Sequence, residues 1–155
     1  MTVTLAAAMG EIMDGIVSAL AEQNTTTGIL ADVKVIARGD RQEPRPENPA
    51  IWIFARQANP GERTIGSNFT EMFEMPVVLA AMVQDDDDDC SGYDAATDLA
   101  ARARGVVLTS APKRFGLDYV TRVISGAFEP SAPWHKAGPL FRSFAEIRVQ
   151  FQVRG

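Results

Sequence analysis

The feature that most constrains this chain is its last stretch, Phe144–Gly155, where apolar and polar residues alternate almost strictly. Ala145, Ile147, Val149, Phe151 and Val153 fall on one side, and Glu146, Arg148, Gln150, Gln152 and Arg154 on the other. A period of two is the signature of a strand with one buried and one wet face. The expectation is a fold that closes on a sheet.

The opening segment has a different period. Leu5, Met9, Ile12, Ile16 and Leu20 recur at steps of three and four and predict an amphipathic helix, with Thr2 or Thr4 as its cap. Gly10 and Gly15 lower its intrinsic propensity, so packing must hold it. The polar run Gln23–Gly28 ends it. Three strands are expected next, over Asp32–Arg38, Ala50–Arg56 and Asn68–Gln84. The second is apolar on both faces, through Ile51 and Ile53 on one and Trp52 and Phe54 on the other. That predicts a central strand or a second layer over it. Gly39–Pro49 reads as an exposed, proline-stiffened loop, and Asn59-Pro60-Gly61 as a turn. Pro76 predicts a bulge, an edge position or a break in the third strand.

Five consecutive aspartates, Asp85–Asp89, then form a solvated loop. A second helix is expected over Tyr93–Thr109, with Ala96, Leu99, Ala103 and Val106 as its buried stripe and Ser91 or Asp94 as its cap. A short strand, Tyr119–Phe128, should precede a loop from Glu129 to Pro139, and the last strand should begin near Leu140. The pattern predicts a single α+β domain over residues 1–155, with a mostly antiparallel sheet, two main helices and the order α-β-β-β-α-β-β.

Charge and composition exclude several functions. With 20 acidic and 15 basic residues the chain carries a net charge of −5, which disfavours binding nucleic acid by phosphate neutralisation. Arg38, Arg41 and Arg45 are interspersed with Asp40, Glu43 and Glu47 and do not make a basic patch. One cysteine, Cys90, cannot form an internal disulfide or a cysteine-based metal cage, so a reducing cytoplasm is the expected setting. The first residues lack a basic leader, and no apolar run approaches the roughly 20 residues that span a membrane. No secretion signal and no membrane partner are expected.

No catalytic constellation is legible. His135, the single histidine, sits between Trp134 and Lys136 in a proline-rich loop without a partner to orient it. Cys90 adjoins the aspartates, whose charge suppresses the thiolate. Asp87, Asp89, Ser91, Gly92 and Asp98 match the spacing of a calcium loop. A strand rather than a helix precedes them, position eight is Asp94, and an acidic run produces such matches on its own, so the reading is no metal and no cofactor. Trp52, Phe54, Phe69 and Phe73 lack the interleaved basic residues of a stacking platform for single strands and read as core or interface. The expectation is a protein that is not an enzyme.

Element order and length resemble a known family. The residues that carry the likeness are IMDGIVSAL (Ile12–Leu20), AIWIF (Ala50–Phe54), EMPVVLAAMV (Glu74–Val83), the helix DAATDLAARARGVV and the ending LFRSFAEIRVQFQV. Together they look like the tail-terminator family of long-tailed bacteriophages, also called tail-completion or minor tail protein U-like. The family's layout has a charged hairpin loop after its first strand, where Gly39–Pro49 stands here. The resemblance implies a virion subunit that forms a six-fold homo-hexameric ring at the tail–neck junction, assembled in the host cytoplasm. Such a ring stops polymerisation of the tail tube protein and docks the head-completion, or stopper, protein. It implies no catalytic residues and no cofactor. DNA would pass through its lumen without specific binding. Interface or lumen candidates are Asp85, Asp86, Asp87, Asp88 and Asp89, Arg41 and Arg45, and Trp134, His135 and Lys136. Long charged loops, Gly39–Pro49 and Glu129–Pro139, suit the end faces of a ring, and an acidic lumen repels the DNA backbone. The competing readings are another neck, adaptor or tube ring protein, and a small α+β ligand-binding module or enzyme.

Overall fold

The computed structural model describes residues 3–39, 48–64, 70–85, 91–134 and 140–154, with the side chains of 62–64, 111–113, 131–134 and 154 left aside. Two helices lie on one face of a six-stranded, mostly antiparallel sheet, an α+β fold as the periodicities predict. The elements in chain order are α1 (Leu5–Glu22), β1 (Val35–Arg38), β2 (Ala50–Ala55), β3 (Asn59–Thr64), β4 (Thr70–Gln84), α2 (Ser91–Ser110), a 3-10 segment (Ala111–Gly116), β5 (Val120–Trp134) and β6 (Leu140–Arg154). The strand order is β1-β2-β4-β6-β5, and β3 pairs with the first part of β4.

The core follows from the two periods. From α1, Ile12, Ile16 and Leu20 are fully buried together with Ala8, while Leu5 stays at the surface. Thr4 caps the helix by accepting a hydrogen bond from Ala7 N at 3.2 Å. From α2, Ala96, Leu99, Ala103 and Val106 are buried as the spacing requires. These meet Met75, Val77, Leu79 and Ala81 of β4 and the alternating face of β6, where Ala145, Ile147, Val149, Phe151 and Val153 are all buried. Phe151 stacks on Phe73 across the β4–β6 pair, with ring centroids 5.9 Å apart.

Gly15 and Gly92 pack where a side chain would collide. A Cβ on Gly15 would stand 2.7 Å from Phe115 Cβ, and one on Gly92 2.2 Å from Phe141 Cε2. Phe115 reaches α1 from an unusual backbone: Arg114 and Phe115 both have positive φ, 51° and 54°, where Gly116 follows at 71°. The glycine that weakens α1 locally thus admits the side chain that closes the core at that end.

Several expectations are corrected. Asn59-Pro60-Gly61 is not a turn but the start of β3, an edge strand with a register shift between Pro60 and Arg63. Edge position and a bulge are the circumstances that tolerate proline and glycine in a strand. Pro76 does not break β4, which runs unbroken over 15 residues. It sits in the gap between the β3 and β2 pairings, where its carbonyl accepts from Arg56 N at 2.8 Å and no partner strand requires its missing N–H. β5 is not short: it continues through Glu129 to Trp134, so the first half of the expected Glu129–Pro139 loop is strand, paired with β6. Finally, β1 and β2 pair in parallel, Val35 with Ala50 to Arg38 with Ile53, so Gly39–Pro49 connects them as a crossover and not as a hairpin loop.

Candidate assembly surfaces

Most of the candidate residues attach to one end of the sheet, and the segment bearing Arg41 and Arg45 runs to that end from the opposite end of β1. Of them, Arg41, Arg45, Asp86, Asp87, Asp88, Asp89, His135 and Lys136 lie outside the described residues, as does Cys90. Their described neighbours stand together. Ala50, which follows the arginine-bearing segment, pairs with Met82, two residues before Gln84; Gln84 pairs with Leu140, and Leu140 pairs with Trp134. Asp85 leaves β4 there, and its carboxylate accepts a hydrogen bond from Ser91 Oγ, at the start of α2, at 2.6 Å.

The calcium spacing is not realised as a loop. Ser91, Gly92 and Asp98 belong to α2, so three of the five matched positions are wound into a helix. Asp98 is held instead by Arg102, 2.8 Å away and one turn on. Among the described residues no three His, Cys, Asp or Glu side chains are grouped so as to hold a metal ion. No helix among them is long and apolar enough to cross a membrane.

Opposite the helices, the sheet carries a second apolar cluster. Ala50, Trp52, Ala80, Met82 and Leu140 are buried there, with Val35, Ala37, Phe54 and Phe144 half-buried around them. The two-sided apolar pattern of β2 is the signal that anticipates it. Among the described residues Trp52 Nε1 is buried without a hydrogen-bond acceptor, a group that ordinarily finds one when it leaves water. The Arg142 guanidinium lies over the Phe144 ring, 5.1 Å from its centroid. Further along this face Arg148 pairs with Glu146 at 3.0 Å. Beyond them, Asn59, Glu74, Gln150 and Arg122 form one cross-strand row. Gln150 Nε2 donates to Glu74 Oε1 at 3.4 Å, and a cleft of about 400 Å³ opens beside the pair toward β3.

Two polar clamps hold the helical layer. Arg102 donates to both carboxylate oxygens of Asp32, at 2.8 and 3.1 Å, and to the Ile29 carbonyl at 2.8 Å, tying the segment before β1 to α2. The Arg102 hydrogen bonds hold the Asp32 carboxyl below its ordinary range, against the opposing effect of partial burial. Tyr119, just before β5, donates its hydroxyl to Glu11 of α1. Burial first, and then the Glu11 carboxylate, push the Tyr119 hydroxyl pKa up. The partner of Arg102 is 70 residues away and carries no local signal in the sequence.

No protein-family model matches the chain, and no curated protein matches it. Among solved structures, the chain is similar in fold to a chain from the virion of a native gene transfer agent (GTA) particle, with a TM-score of 0.50 and 9% identity. The likeness covers 96% of this chain and 98% of that one. At this identity the likeness shows the fold alone.

Proposed function

We propose that this protein is a virion structural component, and specifically a tail-terminator subunit of a long-tailed bacteriophage or related prophage. Six copies form a ring that caps the tail tube, ends its polymerisation and joins the tail to the head-completion protein. The subunit works by contact and has no catalytic turnover. DNA passes through the lumen without specific binding. The observation that carries the reading is the end-to-end likeness in fold to a chain of a virion. The layout resemblance, read from the sequence independently, points the same way.

Physical features support it. A ring subunit needs side faces for its neighbours and end faces for tube and head. The acidic run and the β5–β6 connection spring from one sheet end, where the arginine-bearing segment enters β2 after leaving β1 at the opposite end. Their like-charged aspartates suit a surface along which DNA slides. The second apolar cluster, where the indole N–H of Trp52 has no acceptor among the described residues, suits a surface that another protein completes.

The test is genetic and read by electron microscopy. Particles made without this protein should show free heads and headless tails of uncontrolled, mostly excessive length. Absence of tails altogether would indicate a tube subunit. Normal tails joined to heads would refute the assembly role.

A further inference from the structure

We infer that the free subunit pairs with a second copy of itself, the outer edge of β5 in one copy lying antiparallel to the same edge in the other, with Arg122 of each copy beside Glu129 of the other. The inference concerns the subunit before assembly and does not depend on the proposed ring. Among the described residues β5 pairs only with β6, leaving a 15-residue strand with one unsatisfied edge. Such an edge is a template for another strand. Pro130 and Pro133 blunt its far part, whereas Arg122–Glu129 holds no proline. In that stretch Arg122, Ser125, Ala127, Phe128 and Glu129 are exposed, Phe128 by 37%.

The exposed stretch is self-complementary once its bulge is counted. Against β6, Arg122 stands level with Gln150, Val123 with Val149, Ile124 with Arg148, Ser125 with Ile147, Phe128 with Ala145 and Glu129 with Phe144. Gly126 and Ala127 share the level of Glu146 as a bulge. Both turn to the helix-free face: a Cβ on Gly126 would meet the Glu146 side chain, and Ala127 lines a small pocket with Glu146 and Phe144. Ser125 is therefore the midpoint, with Arg122 three levels to one side and Glu129 three to the other. A two-fold axis normal to the sheet at Ser125 sets Arg122 opposite Glu129, Val123 opposite Phe128, and Ile124 opposite the bulge. Every such pairing stays on one face. Arg122, Ile124, Ala127 and Glu129 share the helix-free side, and Val123 and Phe128 the helix side.

Charge and space both favour this partner. Neither Arg122 nor Glu129 has an ion-pair partner among the described residues. Directly opposed residues on antiparallel strands stand about 4.5–5.5 Å apart at Cβ, so the pair gains two Arg122–Glu129 contacts, one on each side of the axis. Phe128 of each copy meets Val123 of the other and leaves water. The axis keeps both helical layers on one side of the joined sheet. The two β6 strands then stand three strand spacings, about 14 Å, apart. α2 packs chiefly on β6 and β4, so the two copies of α2 clear the roughly 8–10 Å at which packed helices touch. The contact uses both bare edges and stops at two copies, which removes the aggregation hazard of an open strand.

Charge exchange and a single-site cross-link test the contact. Light scattering of the purified protein, at concentrations below those of any ring, should find a species of twice the chain mass. Arg122→Glu and Glu129→Arg should each raise the dissociation constant of that dimer about tenfold or more, and the double exchange should restore it. In a Cys90→Ser background, Ser125→Cys alone should cross-link to a dimer and no further with a short-arm bismaleimide. Gln152→Cys, exposed on β6 away from the edge, should not. A dimer indifferent to the charge changes, or Ser125→Cys chains that stay uncross-linked, would overturn the pairing. Rings with only monomer below them would overturn it and leave the ring standing. Charge-sensitive dimers with no ring at any concentration would uphold the pairing and refute the ring.

Discussion

Replacing Phe151 by alanine removes the largest side chain buried on β6 and tests how the closing strand is oriented. Phe151 is fully buried and stacks on Phe73 at 5.9 Å. Truncating a buried phenylalanine costs about 3–5 kcal/mol, the sum of lost transfer energy and the cavity left behind. For a domain of this size each kcal/mol lowers the melting temperature by about 2–4 °C, so a fall of about 6–20 °C is expected. Gln152, the next residue, lies on the wet face and is exposed. Its alanine variant should shift the melting temperature by no more than about 2 °C, since exposed substitutions stay within about 0.5 kcal/mol. Thermal unfolding followed by circular dichroism at neutral pH reads both. Comparable shifts for the two variants would show that β6 does not present these faces.

Three further outcomes follow from the structure. In α1, Gly10→Ala should stabilise by about 0.5–1 kcal/mol because a Cβ there meets nothing within 4 Å, whereas Gly15→Ala should destabilise by driving its Cβ into Phe115; chemical denaturation separates them, and equal signs would contradict the packing. Asp32→Asn should lower the melting temperature by at most a few degrees, the Arg102 pair being partly exposed. Because the folded Asp32 pKa is depressed, that contribution is fully present above the unfolded carboxylate value and is lost as pH falls through the folded value, so the two melting curves should converge in acid; a gap that persists there would refute it. Replacing Asp86–Asp89 with asparagine should leave the melting temperature nearly unchanged, with or without calcium, and increase retention on DNA at low salt; a calcium-dependent rise in the unaltered protein, lost in Asp87→Asn, would make the run a metal site.

Much of the fold was legible because burial imposes a period. The β6 alternation and the stripes of α1 and α2 emerged at the expected residues apart from Leu5, which stays at the surface, since each buries one side against a common core. The two-sided apolar pattern of β2 correctly anticipated apolar packing on both faces of the sheet. What escaped were strands whose residues defy strand propensity. β3 begins Asn59-Pro60-Gly61, a turn by composition, and becomes a strand because β4 offers it an edge. The far part of β5 carries two prolines and still pairs with β6, because only one of its edges is in use. The parallel pairing of β1 with β2 is a tertiary choice that no local pattern encodes. For the candidate site, Arg41, Arg45, Asp86–Asp89, His135 and Lys136 lie outside the described residues, so what the structure adds is the sheet end that the acidic run and the β5–β6 connection share and that the arginine-bearing segment reaches at Ala50. The Asn59–Arg122 row was illegible for the same reason as the β1–β2 pairing: its four residues come from four strands and meet only in the register of the sheet.

The central claim is that this chain closes into a ring. Negative-stain electron microscopy of the purified protein, paired with light scattering across a wide concentration range, tests it most directly. The account predicts closed rings with six-fold symmetry and an open centre, and a mass six times that of the chain at the upper concentrations. A monomer or two-fold dimer throughout, or open fibres without a closed species, would contradict it.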